Sequence, residues 1–357
     1  MMEKFAYLRL PLVPRKLVVR MMDPGELLTF SVLSRRCRRM VQKTKTPGKY
    51  IQLTYVTPGK IEIILACEGK FEKLHAVLET FRDTIFDDCI NTIISWRPEK
   101  YEVLSLHGVE VSKCYESDGR VSLYGRELGN PQIHRALAGF FEILCNVFPF
   151  PKLRLHCNNV PTATVSFLAA SFDRAFSSLS ITNNERFSNV NAIFNLRQVL
   201  ESFTADRFEL DWFIDFHNYR YSGGLRYPKM KIQNAHWLTM ESVLKMNCII
   251  LQALNVTFTR NNLITFIRRW QDGGFKNLET VYFNHRMQGE NWTTLLQGQV
   301  PTQPWNPKLR PRKHGSRRCE NGRDIKRDDG MLATIMLEKD SFGFCVWQPK
   351  YYSRDQE

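Results

Sequence analysis

The amino-acid sequence predicts an α/β chain in which a small helical block precedes a larger domain of alternating strands and helices. Apolar residues recur at helical spacing through the first 46 residues. Beyond them, short β-branched and aromatic runs are separated by helix-like stretches. With 43% hydrophobic and 12% aromatic residues, the composition is that of a folded chain.

Length and charge limit the classes of partner. The 357 residues suit one large domain, or a small module joined to a large one. A net charge of +14 favours anionic partners, whether nucleic acid, an acidic protein surface or anionic lipid. The N-terminus lacks the continuous apolar core of a signal peptide, and no apolar run is long enough to span a bilayer. We therefore expect a soluble intracellular protein of the cytoplasm, the nucleus or both.

The nine cysteines are scattered along the chain. None forms a CxxC pair, and none stands at zinc-finger spacing from a histidine. We expect reduced, mostly buried thiols, no metal site and no cofactor.

The first 46 residues predict three short helices. Leu17 and Met21 fit one face of the first helix. The second begins at Asp23, which caps it, with Pro24 at the first helical position and a glutamate three residues after the cap. The third begins at Ser34 and carries four arginines before the turn residues that end the block.

This block resembles the F-box, the module that docks substrate receptors on the Skp-type adaptor of cullin–RING ubiquitin ligases. Leu10-Pro11 opens the pattern, and Asp23-Pro24-Gly25-Glu26-Leu27-Leu28 follows at the expected spacing. Pro14 and Cys37 depart from it, since Cys37 stands where a tryptophan is usual. The resemblance implies adaptor contacts from ten residues. They are Leu10, Pro11, Val18, Val19, Met22, Pro24, Leu27, Leu28, Leu33 and Ser34.

Residues 47–298 predict one α/β recognition domain. A hairpin spans Tyr50–Val56 and Ile61–Cys67, and residues 71–96 follow a helical pattern. Short L-x-L-like segments then alternate with helices at irregular spacing, which favours an irregular leucine-rich-repeat-like array. An ordinary domain of βαβ units is the alternative interpretation.

Residues 206–285 resemble the type 2 F-box-associated domain of nematode F-box proteins. The resemblance rests on Asn234–Thr239, Phe258–Leu263, Trp270 and Gly273-Gly274, with a similar tail at Ile325–Ile335. The family is held to bind substrates. From spacing alone, we expect core positions for the tryptophans and a tight helix exit at the glycine pair.

The amino-acid composition changes in the C-terminal region. Residues 299–327 are rich in proline and arginine and predict a disordered basic loop. Arg312, Lys313, Arg317 and Arg318 suit a nuclear-import signal or an anion contact, with a solvated loop as the alternative. Residues 328–350 predict two strands that pack back on the domain.

The two resemblances imply a non-catalytic, substrate-receptor subunit of an SCF-type ubiquitin ligase that holds a target protein near the conjugating enzyme. Catalysis is not expected, because Asp211, Asp215 and His217 lie close together without a nucleophile or metal constellation. The alternative is a basic nucleic-acid-binding protein outside any ligase.

Overall fold

The computed structural model consists of two compact units, residues Met1–Ser177 and Ser178–Glu357. Contacts between elements cross both of the positions, near residues 46 and 298, at which domain boundaries were predicted. The structure describes residues 12–22, 24–44, 48–57, 60–67, 73–81, 102–106, 109–115, 121–126, 130–148, 152–158, 176–183, 190–214, 219–284, 296, 298–338 and 340–352. None of the described helices is long and apolar enough to cross a membrane.

The first unit contains four helices and a seven-stranded mixed sheet within its described residues. The helices are α1 (Leu12–Met21), α2 (Pro24–Leu33), α3 (Arg35–Thr44) and α4 (Asn130–Val147). The strands are β1 (Gly48–Thr57), β2 (Lys60–Cys67), β3 (Lys73–Phe81), β4 (Glu102–Leu106), β5 (Val109–Tyr115), β6 (Val121–Arg126) and β7 (Lys152–Asn158). Their order across the sheet is β7-β1-β2-β3-β6-β5-β4. The predicted hairpin is present as β1 and β2, which pair antiparallel.

The N-terminal helices pack on this sheet rather than standing apart from it. Helix α2 is apolar along most of its length, and it contacts α3, α4, β2 and β3. Helix α3 buries Cys37 and Val41 and exposes Arg35 and Arg36 on its other side. Three short helices have too little volume to form a core alone. The sheet and α4 supply the missing surface.

The segment at residues 73–81 is a strand and not the predicted helix. Leu74, Val77, Leu78 and Phe81 fit a helical period, and short apolar runs are ambiguous between the two structures. Tertiary pairing decides the outcome, because β3 satisfies its backbone groups against β2 on one side and β6 on the other. The rest of that predicted helix, residues 82–96, lies outside the described residues.

The second unit combines a parallel array with an antiparallel extension. Its helices are α5 (Val190–Ser202), α6 (Met240–Leu244) and α7 (Arg260–Gln271). Its strands are β8 (Ser178–Asn183), β9 (Arg207–Trp212), β10 (Lys229–Ile232), β11 (Ile250–Ala253), β12 (Thr280–Asn284), β13 (Gln303–Pro304), β14 (Lys313–His314), β15 (Arg317–Arg318), β16 (Arg323–Lys326), β17 (Leu332–Glu338) and β18 (Ser341–Val346). Strands β8 to β12 are parallel and in chain order, followed antiparallel by β18, β17, β16 and β13.

One face of this second sheet forms the core. Alternate residues of the parallel strands are buried, such as Phe208, Leu251 and Phe283. Helix α7 covers them with Phe266, whose ring lies 5.2 Å from that of Phe344 on β18. Edge-to-face aromatic contacts of this kind add to the free energy gained by burial.

The basic segment at residues 299–327 is ordered, which corrects the prediction of a disordered loop. It contains β13, the β14–β15 hairpin and β16. Arg310 and Asp324 form an ion pair inside it, in which Nε of the arginine donates to both carboxylate oxygens, and both side chains are fully buried. The basic composition of this segment predicts a solvent-exposed loop. The buried ion pair, with its hydrogen bonds satisfied, stabilises a folded conformation instead. The two strands predicted beyond it are present as β17 and β18.

Candidate functional site

Helix α1 exposes two large apolar side chains one turn apart. Leu17 is 53% exposed and Met21 is 83% exposed. Val19, on the opposite side of the helix, is 1% exposed and packs inward. Residues four positions apart share one helix face. Leu17 and Met21 therefore form an apolar patch, which we call the α1 patch.

The residues expected to contact an adaptor divide into several groups. Leu27 and Leu28 are buried together with Val19. Val18 and Met22 are half-buried, whereas Ser34 is exposed. Leu10 and Pro11 lie outside the described residues, and the structure gives Pro24 and Leu33 as the first and last residues of α2 without describing their side chains.

Ser34 has a structural role that its exposure does not reveal. Its side-chain oxygen accepts a hydrogen bond from the backbone N–H of Cys37 at 3.1 Å, so it caps α3. Cys37, which stands where a tryptophan was expected, is buried. Arg35, Arg36 and Arg39 of helix α3 are exposed to solvent, so the N-terminal helical block has a basic face.

A row of polar and aromatic residues crosses the open face of the second sheet. The register places one residue of each parallel strand in line, and we call them the polar row. They are Ser180, Glu209, Lys231, Gln252 and Tyr282. All five are half-buried. Because side chains of a strand alternate between its two faces, this row faces away from the apolar core.

The β14–β15 hairpin lies at the end of the polar row. Arg312, Lys313 and Arg318 are exposed, and Arg317 is half-buried with its guanidinium 4.9 Å from the ring centroid of Tyr282. Gly315 takes a positive φ of 63° in the turn. The hairpin thus presents its cations at the end of the polar row.

A buried histidine holds the hairpin to the sheet. His314 is 5% exposed, and its Nε2 lies 2.9 Å from the carbonyl oxygen of Val346. A carbonyl only accepts, so this nitrogen carries the proton. Burial lowers the pKa of His314 below its ordinary value, which keeps the ring neutral near pH 7.

The residues that carried the second resemblance are structural. Trp237 and Trp270 are both fully buried, which confirms the expected core role. Thr259 and Asn262 form a reciprocal capping box at the start of α7. Gly273 follows α7 with φ of +84°, which confirms the predicted tight exit. These residues position α7 and the strands beneath it.

The described residues contain no group of histidine, cysteine and carboxylate side chains arranged to hold a metal. Asp211 accepts a hydrogen bond from Asn234 at 2.7 Å, which joins the ends of β9 and β10. Asp215 and His217 lie outside the described residues.

Comparisons with known proteins agree with these features. The F-box domain family matches residues 7–46, and the F-box associated family matches residues 225–283. The chain is 23% identical over 373 residues to "Uncharacterized protein F59B2.8" of Caenorhabditis elegans, covering 98% of this chain and 79% of that protein. It is 26% identical over 143 residues to "Uncharacterized protein F59B2.9" of the same organism, covering 36% of this chain and 33% of that protein. No solved structure matches the chain significantly. The chain therefore carries an F-box domain match at residues 7–46 and an F-box-associated match at residues 225–283, and this combination resembles that of nematode F-box proteins.

Proposed function

We propose that this protein is an intracellular, non-catalytic substrate receptor of an SCF-type ubiquitin ligase. The observation that carries the proposal is the presence, on one chain, of an F-box domain in the first unit and an F-box-associated domain in the second. A receptor needs two binding surfaces, one for the ligase and one for the target. Such a receptor increases the rate of ubiquitin transfer because it raises the local concentration of the target near the conjugating enzyme.

The first surface is the adaptor-docking face of the N-terminal helices. The α1 patch supplies apolar area for its centre, and the exposed arginines of α3 supply a cationic rim. Interfaces commonly place an apolar core inside a polar rim. The cations would steer an acidic adaptor surface towards the patch. Leu27 and Leu28 of the same helical block are buried.

The second surface is the open face of the second sheet. Among the described residues, helices α5, α6 and α7 follow strands β8, β10 and β11, an order similar to that of an irregular leucine-rich-repeat-like array, and the polar row runs across the five parallel strands. Such arrays bind partners along an extended sheet surface. A chain laid across the strands would meet one polar side chain from each.

The test is co-purification of the full chain with a Skp-type adaptor. The double variant Leu17→Asp with Met21→Asp is expected to lose adaptor binding, because it places two charges in an apolar interface without unfolding the block. Leu309→Asp is the matched control, since Leu309 is 41% exposed in the second unit. Adaptor binding that survives the double variant would remove the α1 patch from the interface.

The double variant Leu27→Asp with Leu28→Asp would not test whether the helical block contacts the adaptor. Both leucines are at most 5% exposed, so a carboxylate there would unfold the block and abolish any function indirectly. The outcome that contradicts the whole proposal is a wild-type chain that does not bind the adaptor yet binds nucleic acid with steep salt dependence.

A further inference from the structure

A cavity of about 620 Å³ lies in the second unit and is lined by residues of the sheet and of the β14–β15 hairpin. The sheet contributes Gln252, Tyr282, Glu338 and Gly343 to the lining, and the hairpin contributes Arg317 and Arg318. Leu254 and Met336 add apolar surface to it. Gln252 and Tyr282 also belong to the polar row, so the row leads directly into the cavity.

The two arginines give the cavity a net positive charge. Neither forms an ion pair with any residue in the part of the chain that the structure describes. The guanidinium carbon of Arg317 lies 4.9 Å from the centroid of the Tyr282 ring, a cation–π contact, and its N–H groups donate no hydrogen bond to a described residue. Those groups match the two oxygens of an anion in a bidentate arrangement.

Glu338 is the opposing charge of the lining. Its carboxylate accepts a hydrogen bond from the Ser341 hydroxyl at 3.3 Å, and its side chain is exposed. A single carboxylate against two guanidinium groups reduces the attraction for an anion without reversing it. Glu338 therefore acts as a tuning residue, whose removal should strengthen anion binding.

Gly343 and Met336 shape one side of the cavity. Gly343 lies between Tyr282 and Met336 in the register, and a Cβ at this position would come within 2.8 Å of the Met336 Cε. A larger residue at this position would therefore press against the Met336 side chain, which also lines the cavity. Buried His314 anchors the hairpin to the end of β18 through its contact with the Val346 carbonyl.

We propose that this cavity binds an anionic side chain of the target, a carboxylate or a phosphorylated residue, while the flanking target segment lies along the polar row. This rests on the proposal that the second unit recognises the target. A peptide is favoured over a free anion because the cavity continues into a row of five polar side chains that a free anion could not reach.

The experiment measures binding of the full chain to immobilised decapeptide libraries with degenerate flanks and one fixed central residue. The arms compare glutamate with glutamine, and phosphoserine with serine. Wild type is expected to prefer at least one charged residue by about tenfold or more over its neutral counterpart, as for charge-assisted hydrogen bonds. The arm that shows the preference identifies the anion.

Three variants make the result specific. Arg317→Gln with Arg318→Gln should abolish the preference, and Glu338→Gln should raise it by about twofold or more. Arg312→Gln with Lys313→Gln removes the same charge from the same hairpin outside the cavity, and it should keep the preference. A gain in the Glu338 variant cannot arise from misfolding.

Equal binding of charged and neutral peptides by wild type would overturn the inference, as would equal loss in the Arg312 and Lys313 control. Competition of the peptide by a single-stranded oligonucleotide would overturn it too, because the cavity would then serve nucleic acid. Adaptor binding is measured on the same samples. If adaptor binding is retained but no charge preference is seen, the inference about the cavity is contradicted and the proposed function is not. If adaptor binding is absent, the proposed function itself is contradicted.

Discussion

Arg310 donates from Nε to both carboxylate oxygens of Asp324, at 2.9 Å each, inside a region where both side chains are fully buried. The same guanidinium donates to the backbone carbonyl of Cys319 at 2.9 Å. Thr334 donates to Asp324, and Trp347 donates to Thr334. This connected network joins the basic segment to β16, β17 and the end of β18.

Arg310→Met should destabilise the second unit by about 3–5 kcal/mol, because it leaves the Asp324 carboxylate buried and unpaired. Arg310→Met with Asp324→Leu should recover part of that loss, since both charges are then removed. Urea unfolding followed by tryptophan fluorescence measures both, with Trp347 beside the site. A single variant as stable as wild type would show that the pair does not hold the segment.

The two glycines after α7 should differ in the cost of an added methyl group. Gly273→Ala should cost about 1–2 kcal/mol, because alanine is strained at φ of +84° although the space is open. Gly274→Ala should cost more, because its Cβ would lie 2.6 Å from the backbone oxygen of Arg269. Thermal unfolding compares them, and Gly298→Ala, at another open positive φ, is the control for the first. A Gly274 variant no worse than the Gly273 variant would contradict the expected order.

Thr259→Ala should destabilise α7 by about 1 kcal/mol, because it removes the oxygen that accepts from the backbone N–H of Asn262. Thr259→Ser keeps that oxygen and should lie close to wild type. Circular dichroism during urea unfolding measures the difference. Equal losses in the two variants would mean that the threonine methyl group, and not the cap, carries the effect.

Stability should fall as the solution is acidified through the ordinary pKa of histidine, about 6.5. Burial lowers the pKa of His314 in the folded state, so the unfolded chain binds the proton more readily. The stability that neutral His314 contributes is therefore fully present above about pH 6.5 and lost as the pH falls through the lower folded value. His314→Gln should flatten the change in urea midpoint between about pH 7.5 and 5.5.

A neighbouring carboxylate acts in a lower pH range. Burial raises the pKa of Glu279, but hydrogen bonds from Lys350 and Tyr351 outweigh burial and bring it below its ordinary value. Its contribution is present above the ordinary glutamate pKa of about 4.3 and is lost below it. Measurements kept above pH 5 therefore leave out the contribution of Glu279, and the comparison of wild type with His314→Gln assigns the remaining change. A His314→Gln chain with an unchanged acid response would contradict the assignment.

Much of the second unit follows from local sequence pattern. The alternation in β9, with Phe208 and Leu210 buried and Glu209 between them half-buried, is visible as strand periodicity. The periodic apolar residues of α7 and the glycines behind it likewise predict a helix and its end. The strand, the helix and the end of the helix depend on residues that are close together in the chain, so they can be predicted from one sequence.

Two misjudged segments show where local pattern is insufficient. Residues 73–81 carry apolar residues that suit a helix or a strand, and the free edges of β2 and β6 select the strand. Asp324 is one of few acids in a basic stretch, and nothing in its neighbourhood marks it as the partner of Arg310, fourteen residues away. Both outcomes depend on contacts between residues distant in sequence.

The amino-acid sequence alone therefore determined the resemblance to the F-box and to the F-box-associated domain, through the spacing of Leu10-Pro11 and Asp23-Pro24 and through the residues around Trp237 and Trp270, because a resemblance depends on residues that lie close together in the chain. Only the tertiary structure decided which apolar residues of the helical block are exposed, and that the basic segment contributes two arginines to a cavity. The physical reason is that burial and ion pairing depend on which distant surfaces meet, and hydrophobic periodicity does not encode that.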